Sequence, residues 1–309
     1  MYVGELISIG VAFSWTITAL VSEVATKRMG VIVANVWRLL LAFLCSAGLC
    51  LWFMGDAMPV YADAGTWGWL LLSGVVGYFF GDWCLFNSYL WIGARYGQLF
   101  MTLAPIASAF TAWISLGQVL SLKAVIAMTV TLAGIFISIL GRAEGSGKLT
   151  LKLPWQGVLF GLGAGMGQGI GLVLSKIGLD AYTAAIPAQM LPKIGNYLPF
   201  SANLIRCIAG FGCFTIWLLI SGHSYKLKTS IRDRQGMLML GIAVIFGPFL
   251  GVGFSLMAVQ YCPAGIASTL MALTPIIIIL PSHWFFHEPI KLKGVIGACI
   301  SVAGVALFF

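Results

Sequence analysis

Apolar residues run along the chain in stretches of about 20, separated by short polar or glycine-rich connections. A helix of about 20 apolar residues crosses roughly 30 Å of hydrocarbon, so each stretch predicts one transmembrane span. Only helix is expected within the spans, because a helix satisfies its own backbone polar groups in lipid. The pattern predicts an all-α polytopic membrane protein with ten transmembrane helices. The predicted spans are residues 5–26, 33–54, 67–90, 97–117, 121–140, 154–177, 200–220, 237–259, 266–286 and 291–309.

The composition supports a membrane protein. Hydrophobic residues make up 60% of the chain, charged residues 8%, and the mean hydropathy is +1.01. A soluble domain is about 25% charged, so no soluble domain is expected. The formal net charge is +8, and anionic lipid headgroups account for such an excess without nucleic acid. The first residues lack the positively charged start of a secretory signal, so the first span is expected to be retained.

Short sequences recur in the two halves of the chain. "VANVWRLLLA" (Val33–Ala42) returns as "SANLIRCIAG" (Ser201–Gly210), and residues 77–139 align without gaps on 247–309. Each half holds five predicted spans, and five is odd, so the second half must enter the bilayer from the opposite side. We therefore predict two inverted five-helix repeats, residues 1–140 and 154–309, joined by a linker loop at 141–153. Inverted repeats are typical of secondary transporters, which bind substrate near the midplane.

The end of the second half carries a family resemblance. The segment Ala264–Phe309 shows a proline inside the fourth helix, a glutamate at its end, a polar turn and a glycine-rich fifth helix. In this pattern the chain resembles the ten-helix EamA-type members of the drug/metabolite transporter (DMT) superfamily. The positions that match are Pro275, Glu288, Gly294, Gly297 and Gly304, with Pro105 and Gly134 in the first half, Lys27 and Lys176 late in the first helix of each half, and Arg38 and Arg206 early in the second.

The resemblance covers almost the whole chain and implies a transporter in the bacterial inner membrane. One position departs from it, because Gln118 stands where the first half would carry the glutamate. Related proteins move amino acids, sugars, nucleotide precursors, drugs and other metabolites, so the resemblance does not name a substrate.

Asp82 is the main candidate for the substrate pathway. A buried carboxylate is costly, so it should face a wet cavity or pair with a cation. It would then serve in substrate contact or proton coupling, or in a salt bridge that only fixes packing. Asn87 and Gln98 are weaker candidates for the same lining.

Helix-breaking and polar residues at depth mark further candidates. Pro105 and Pro275 occupy equivalent positions in the two halves, and a proline inside a helix frees a carbonyl where the backbone lines a cavity, or simply improves packing. Gln168 and Trp15 lie centrally in their spans and are assigned to the pathway. Glycines spaced by four residues are expected to let a neighbouring helix approach closely; they are Gly157, Gly161, Gly165 and Gly169.

Charged residues near span ends are candidates for charge pairing or coupling. Arg38 and Arg206 lie early in their spans and are expected to snorkel toward opposite membrane faces, with substrate binding as the alternative. Lys27 is four residues after Glu23, which predicts an ion pair on one helix face. Lys176 lies at a helix end, where it either reaches the headgroups or faces substrate.

His283 and Glu288 form a further cluster at the end of the ninth span. His287 lies four residues after His283, which would place both on one helix face, but the spacing of a zinc-binding HExxH motif is missing. His283 remains a candidate for proton traffic. We predict no metal and no cofactor.

These observations together predict a secondary transporter, an exporter or exchanger of a small organic metabolite with amino-acid-like compounds as one candidate class, working by alternating access. One alternative is a transporter-fold protein with a regulatory or scaffold role. The other is an intramembrane enzyme. The segment "GYFFGDW" only faintly resembles the GxGD motif of intramembrane aspartyl proteases, because Phe79 replaces the first glycine of that motif. The expected partners are the substrate, membrane lipid and either a proton or a counter-substrate, for a monomer or homodimer.

Overall fold

The computed structural model describes residues 2–116, 121–142, 149–151, 153–222, 224–261 and 270–307. Six helical stretches there are long and apolar enough to cross a membrane. One of them, Ala64–Ser115, contains two predicted spans, and three shorter apolar helices follow the same pattern. Together they give the ten spans, called spans 1 to 10 below, and confirm the predicted fold class.

Spans 1 to 5 form the first repeat. Their helices are, in chain order, Val3–Met29; Val31–Met54; Ala64–Ser73 with π-helical Gly74–Gly81 and the first part of Asp82–Phe100; the rest of Asp82–Phe100 with the 3-10 turn Met101–Leu103 and Ala104–Leu116; and Leu122–Ile139.

Spans 6 to 10 form the second repeat. Their helices are Trp155–Ala185; Leu198–Ile220; Arg234–Val244 with π-helical Ile245–Phe249 and Leu250–Tyr261; Thr274–Ile277 with Ile279–Phe286; and Leu292–Ala306. Short helices lie between spans at Leu191–Ile194, Gly195–Tyr197 and Tyr225–Ser230.

The connection between spans 3 and 4 is tighter than predicted. We predicted a loop between residues 90 and 97, but Gly93 alone breaks the helix, with φ 77° and ψ 162°. This backbone conformation is essentially restricted to glycine. In the linker, Leu140–Arg142 pairs antiparallel with Leu149–Leu151, so a small strand pair lies outside the spans. Gln118 lies outside the described residues.

Equivalent residues meet where span 5 packs on span 10. Gly134 lies against Ser301, and Gly304 lies against Thr131, so closely that neither glycine has room for a side chain. Ser301 also donates a hydrogen bond from Oγ to the Thr131 carbonyl at 3.3 Å. Gly134 aligns with Gly304, and Thr131 with Ser301, so the contact is reciprocal. A pseudo-two-fold axis between the repeats produces such a contact.

The remaining spans follow the same symmetry. Span 1 packs on span 8, and span 6, its counterpart, packs on span 3, while spans 2 and 7 pack on each other. The four glycines of span 6 that are spaced by four residues, called the glycine ladder, lie against the end of span 3 and the first half of span 4. Gly157 contacts Ile92, and Gly165 contacts Leu103. The close helix approach predicted for the ladder is confirmed, and it holds the centre of span 6 beside Asp82.

The segment after span 6, which contains Pro187, Pro192 and Pro199, interrupts the helix. Span 6 ends at Ala185, and the chain then runs in short turns to span 7. The segment packs on neighbouring span ends: Tyr197 stacks on Phe53 at 4.7 Å, and Tyr182 shares a 2.9 Å hydrogen bond with Ser201. The segment between spans 6 and 7 lies at the same face of the membrane as the two ends of the chain.

Candidate functional site

A buried ion pair joins spans 2 and 3. Arg38 Nη2 donates to Asp82 Oδ2, and the two side chains are only 7% and 5% exposed. We predicted that Arg38 reaches the headgroups, and this is wrong. Arg38 lies about two helical turns inside span 2, where a carboxylate on the facing helix is within reach and water is not. Of the two environments predicted for Asp82, the structure shows pairing with a cation.

Span 6 adds a neutral donor to the pair. Gln168 Nε2 donates to Asp82 Oδ1 at 2.7 Å and lies 3.3 Å from the Gly77 carbonyl oxygen. Gly81 makes this approach possible, because a Cβ there would lie 3.2 Å from Gln168 Nε2. Both oxygens of the Asp82 carboxylate therefore have donors, which a buried carboxylate needs to remain ionised.

A second arginine approaches from span 7. The Arg206 guanidinium lies 4.4 Å from the Tyr78 ring centroid, and the Arg38 guanidinium lies 5.8 Å from the same ring. The prediction that these two side chains lie at opposite membrane faces is therefore wrong. Tyr78 is fixed in turn by Asn203, because its hydroxyl donates to Asn203 Oδ1 while Asn203 Nδ2 donates to the Pro248 carbonyl at 3.0 Å.

Two π-helical segments shape this region. Gly74–Gly81 ends directly before Asp82, and Ile245–Phe249 contains Pro248. The two segments fall at equivalent places in the repeats, because residue 77 aligns with 247. A π-helical turn carries an extra residue, which changes the direction of the side chains that follow, and such turns are frequent at functional sites. Here they orient Asp82 and expose the Pro248 carbonyl.

The charges of this cluster do not balance. The central cluster, defined as Arg38, Tyr78, Asp82, Gln168 and Arg206, holds two guanidinium groups and one carboxylate. A cation–π contact supplies about 0.5–2 kcal/mol, whereas burying an ion costs several kcal/mol. The Tyr78 ring therefore offsets only part of the cost of the second cation, and the cluster is positive overall.

A second polar cluster lies at the face opposite the termini. Glu23, only 1% exposed, pairs with Lys27 as predicted. Its other carboxylate oxygen accepts the Ala94 backbone N–H at 2.6 Å. A carboxylate at this position satisfies a free N–H and interacts favourably with the helix dipole. Glu23 on span 1 therefore caps the start of span 4.

The second repeat reaches this cluster through the turn between spans 9 and 10. Arg95 Nη1 donates to the Pro289 carbonyl at 3.1 Å, and Lys27 lies 5.1 Å from the Phe286 ring centroid. Burial raises the pKa of Glu288, and the neighbouring Glu23 carboxylate raises the pKa further. The turn from span 9 to span 10 thus closes against spans 1 and 4 at this face.

Comparison with known proteins shows the family. A family profile described as the EamA-like transporter family matches residues 2–140 and 155–309. The chain belongs to the EamA-like transporter family. It is a multi-pass membrane transporter of the DMT superfamily, as the resemblance implied, and the comparisons indicate the bacterial inner membrane.

One protein is similar to this EamA-family chain in sequence, and another is similar to it in structure. One is the probable 4-amino-4-deoxy-L-arabinose-phosphoundecaprenol flippase subunit ArnE of Hamiltonella defensa subsp. Acyrthosiphon pisum (strain 5AT), 30% identical over 102 residues, which cover 30% of this chain and 88% of the relative. The other is a protein with a solved crystal structure, 16% identical, with a TM-score of 0.59 over 99% of this chain and 96% of the other. The latter supports the fold alone.

Several predicted pathway residues of this EamA-family protein lie outside the central cluster. Asn87 donates to the Trp83 carbonyl on its own helix at 2.7 Å, and Gln98 donates to the Tyr89 hydroxyl at 2.7 Å. Trp15 packs on span 8, where a Cβ on Gly251 would lie 2.9 Å from its indole nitrogen. The Asn87 hydrogen bond lies within one helix, whereas Gln98 and Trp15 take part in contacts between spans.

The two prolines occupy equivalent breaks. Pro105 follows the 3-10 turn Met101–Leu103, and Pro275 is near the start of Thr274–Ile277. Beside each break a neighbouring span packs closely: Ser108 donates to the Gly169 carbonyl at 3.0 Å, and Thr274 to the Ala12 carbonyl at 3.4 Å. Each proline therefore lies where one helical segment ends and the next begins. Proline is tolerated there because it is tolerated in the first turn of a helix.

The other charged candidates lie at the surface or near the second cluster. Lys176 is 68% exposed and pairs with Asp180 at 3.2 Å, in keeping with a position at the headgroups. His283 Nδ1 lies 2.7 Å from the Glu288 carbonyl oxygen. His287 ends the helix with φ 54°, so the expectation that both histidines lie on one helix face is wrong.

Sequence analysis missed Tyr78 in the central cluster, Asn203 beside it and Arg95 near Glu288. One indication was available for Asn203. The Ala-Asn pair that precedes Arg206 also precedes Arg38, and we had noted it only as a repeated sequence. Asparagine at membrane depth needs partners, so its repetition beside an arginine indicates a polar site in both halves.

Proposed function

We propose that this protein is a secondary transporter that moves a small organic metabolite by alternating access, as an exporter or exchanger, with the central cluster as its substrate site. Amino-acid-like metabolites are the first candidate substrates. The observation that carries the proposal is the buried Arg38–Asp82 pair, with Gln168 and Arg206 arriving from the second repeat. A charge at the centre of a membrane helix costs about 2.5–3.5 kcal/mol on insertion scales, so such residues usually serve a pathway.

The location of the cluster supports this assignment. Substrate sites of inverted-repeat transporters lie near the midplane between the repeats, at interruptions of the helices. The cluster contains side chains from spans 2 and 3 of one repeat and spans 6 and 7 of the other, and it adjoins both π-helical segments. A site shared by the two repeats changes its exposure when one repeat moves against the other.

The second cluster supports the alternating-access part of the proposal. Arg95 and Lys27 belong to the first repeat, and their contacts with Pro289 and Phe286 belong to the second. A rocking motion that opens the site toward this face must separate them. The contacts are few and polar, so breaking them costs little compared with separating the packed glycine contacts of spans 5 and 10.

Asp82 is our first candidate for a proton carrier. It is the one carboxylate of the central cluster, and its partner Arg38 belongs to the same repeat. Protonation would release Arg38 for other partners and so change the charge offered to a substrate. Exchange against a counter-substrate is the alternative, and a pH gradient applied to vesicles separates the two.

The relative ArnE is named as a flippase subunit for a lipid-linked phosphosugar. This adds lipid-linked substrates as a second class for the same site, although the similarity covers 30% of the chain. The assay below therefore includes lipid-linked as well as soluble probes.

The test begins with a thermal-shift screen of purified protein against amino acid, sugar and nucleotide pools and a lipid-linked sugar phosphate, because a ligand that binds the native state raises its apparent stability. Compounds that stabilise the protein are then used in counterflow with proteoliposomes. We expect flux with wild type, loss of flux with Asp82→Asn and unchanged flux with Asp56→Asn, which alters an exposed loop carboxylate. A folded protein that moves no metabolite or lipid probe would instead support the regulatory or scaffold role.

A further inference from the structure

Within the described residues, Arg206 is the arginine of the central cluster that has no counter-ion. Among the described residues its guanidinium makes no hydrogen bond and no ion pair, and its Nε is buried without a partner. Its one strong contact is the face of the Tyr78 ring at 4.4 Å. A ring face contacts the plane of a guanidinium and leaves the N–H groups at its edge free for an acceptor.

The repeat explains why a partner is missing. Arg38 and Arg206 are equivalent, and Arg38 has Asp82. The position equivalent to Asp82 is Val252, which cannot accept a hydrogen bond or balance a charge. The same arginine is thus retained in both halves, but only one half supplies its carboxylate.

The surroundings of Arg206 leave room at its terminal nitrogens. Arg206 is only partly buried, and of its nitrogens only Nε is among the buried atoms without a partner, so the terminal nitrogens are accessible. A side chain at Gly77 would restrict that access, because its Cβ would lie 3.2 Å from Arg206 Nη2. Asp82 does not fill the need, because its oxygens accept from Arg38 and Gln168 and it forms no ion pair or hydrogen bond with Arg206. An acceptor for Arg206 must therefore come from outside the described residues.

We infer that the central cluster binds an anionic group, a carboxylate or a phosphate, on the guanidinium of Arg206. The planar guanidinium offers paired donors that match two oxygens of such a group, which a lysine ammonium does not. A singly charged anion bound there would bring the formal charge of the cluster to zero. That the anion belongs to a transported substrate rests on the proposed function, but its binding does not.

The anion has two sources, a soluble metabolite or a lipid headgroup, and the experiment has one arm for each. In the first arm, purified protein is tested with leucine and leucinamide and with glucose 6-phosphate and glucose, pairs that differ in the anionic group. In the second arm, nanodiscs of phosphatidylglycerol are compared with nanodiscs of phosphatidylcholine. The measurement in both arms is the apparent melting temperature.

We expect the member that carries the carboxylate or phosphate to raise the melting temperature and its counterpart without that group not to do so. Arg206→Gln should weaken binding of that anion roughly tenfold to hundredfold, because a charge-assisted bidentate contact is lost. Arg206→Lys should recover only part of the affinity for the anion, because lysine keeps the charge but lacks the paired N–H donors of the guanidinium. Arg232→Gln, the same substitution at an exposed arginine, is the matched control and should bind as wild type does.

Stabilisation that is confined to the lipid arm assigns the anion to a headgroup, and stabilisation in the soluble arm assigns it to a metabolite. The inference is overturned if neutral probes stabilise as strongly as anionic ones, if neither arm shows a charge-dependent shift, or if the shift survives in both Arg206 variants. If Arg206→Gln does not fold, the wild-type pairs and Arg206→Lys still decide the question.

The two proposals fail separately. Flux of a neutral metabolite that is insensitive to Arg206→Gln would leave the transporter proposal standing and remove the anion site. Binding of anions at Arg206 without flux of any probe would leave the anion site standing and remove the transporter proposal.

Discussion

Arg38 donates to the Asp82 carboxylate across the interface between spans 2 and 3, and the second repeat has no equivalent of this ion pair. The two repeats are otherwise closely matched, down to the reciprocal contacts of Gly134 and Gly304. The symmetry that builds the fold is therefore broken at the charged residues. A carrier needs matched halves to open alternately, but it needs an asymmetric site to recognise a substrate with a definite orientation.

Replacing only one partner of the Arg38–Asp82 ion pair should lower the stability of the protein strongly. Asp82→Asn or Arg38→Gln alone leaves an unpaired buried group, which typically lowers the free energy of unfolding by about 3–5 kcal/mol. The double variant removes both charges, so its loss should be smaller than the sum of the two single losses. Unfolding by SDS in mixed micelles measures all three variants.

An exposed pair provides the control. Lys176 and Asp180 are 68% and 66% exposed, and Lys176→Gln should change the free energy of unfolding by less than about 1 kcal/mol. A loss for the double variant equal to the sum of the two single losses would show that Arg38 and Asp82 contribute independently, contrary to the geometry.

The fold could be read from the sequence because lipid imposes a strong constraint. Span length follows from bilayer thickness, and the repeat follows from matching residues such as Pro105 and Pro275. The rotation of each helix about its axis was not predictable. Arg38 pairs with Asp82 because span 2 turns this face inward, which depends on packing against span 7 rather than on local sequence.

The turn at Gly93 was missed for a different reason. Residues 94–96, which follow it, include the charged Arg95, so the hydropathy pattern predicts a loop there and a start of the next span at residue 97. In the structure Arg95 is 5% exposed and Glu23 caps the helix. Partners from distant spans thus allow a helix to start where hydropathy alone places a loop.

The contact of spans 5 and 10 should tolerate no added methyl group. In Gly304→Ala the new Cβ would meet the Thr131 backbone, and overpacking of this kind typically costs about 1–3 kcal/mol. Gly48→Ala is the control, since no atom lies within 4 Å of a Cβ there and alanine is the better helix former. We expect a lower melting temperature for the first variant and an unchanged or higher one for the second. Equal melting temperatures would argue against the close contact.

Gly93→Ala should destabilise the connection between spans 3 and 4. Its φ of 77° with ψ of 162° is strained for any residue with a Cβ, at about 1–3 kcal/mol. The added Cβ would also lie 2.6 Å from Glu288 Oε1. Gly68→Ala in the same span has free space and should be tolerated. Measured melting temperatures that agree for the two variants would contradict the backbone conformation of the turn.

Glu288 should make the stability of the protein depend on pH. Its pKa is raised in the folded state by burial and by the Glu23 carboxylate. A carboxyl group with a raised pKa contributes stability that is fully present below its unfolded pKa, about 4.3, and is lost as the pH rises through the folded pKa. Above its folded pKa the ionised Glu288 therefore destabilises the folded protein relative to a neutral side chain.

Glu288→Gln removes this ionisation while keeping the size of the side chain. We expect the variant and the wild type to melt at similar temperatures at pH 4, with the variant increasingly more stable as the pH is raised to 8. Asp56→Asn removes an exposed carboxylate and should show no such divergence. A constant difference between Glu288→Gln and wild type across this pH range would mean that Glu288 keeps one protonation state throughout. The turn between spans 9 and 10 would then close against span 1 without any contribution from the titration of Glu288.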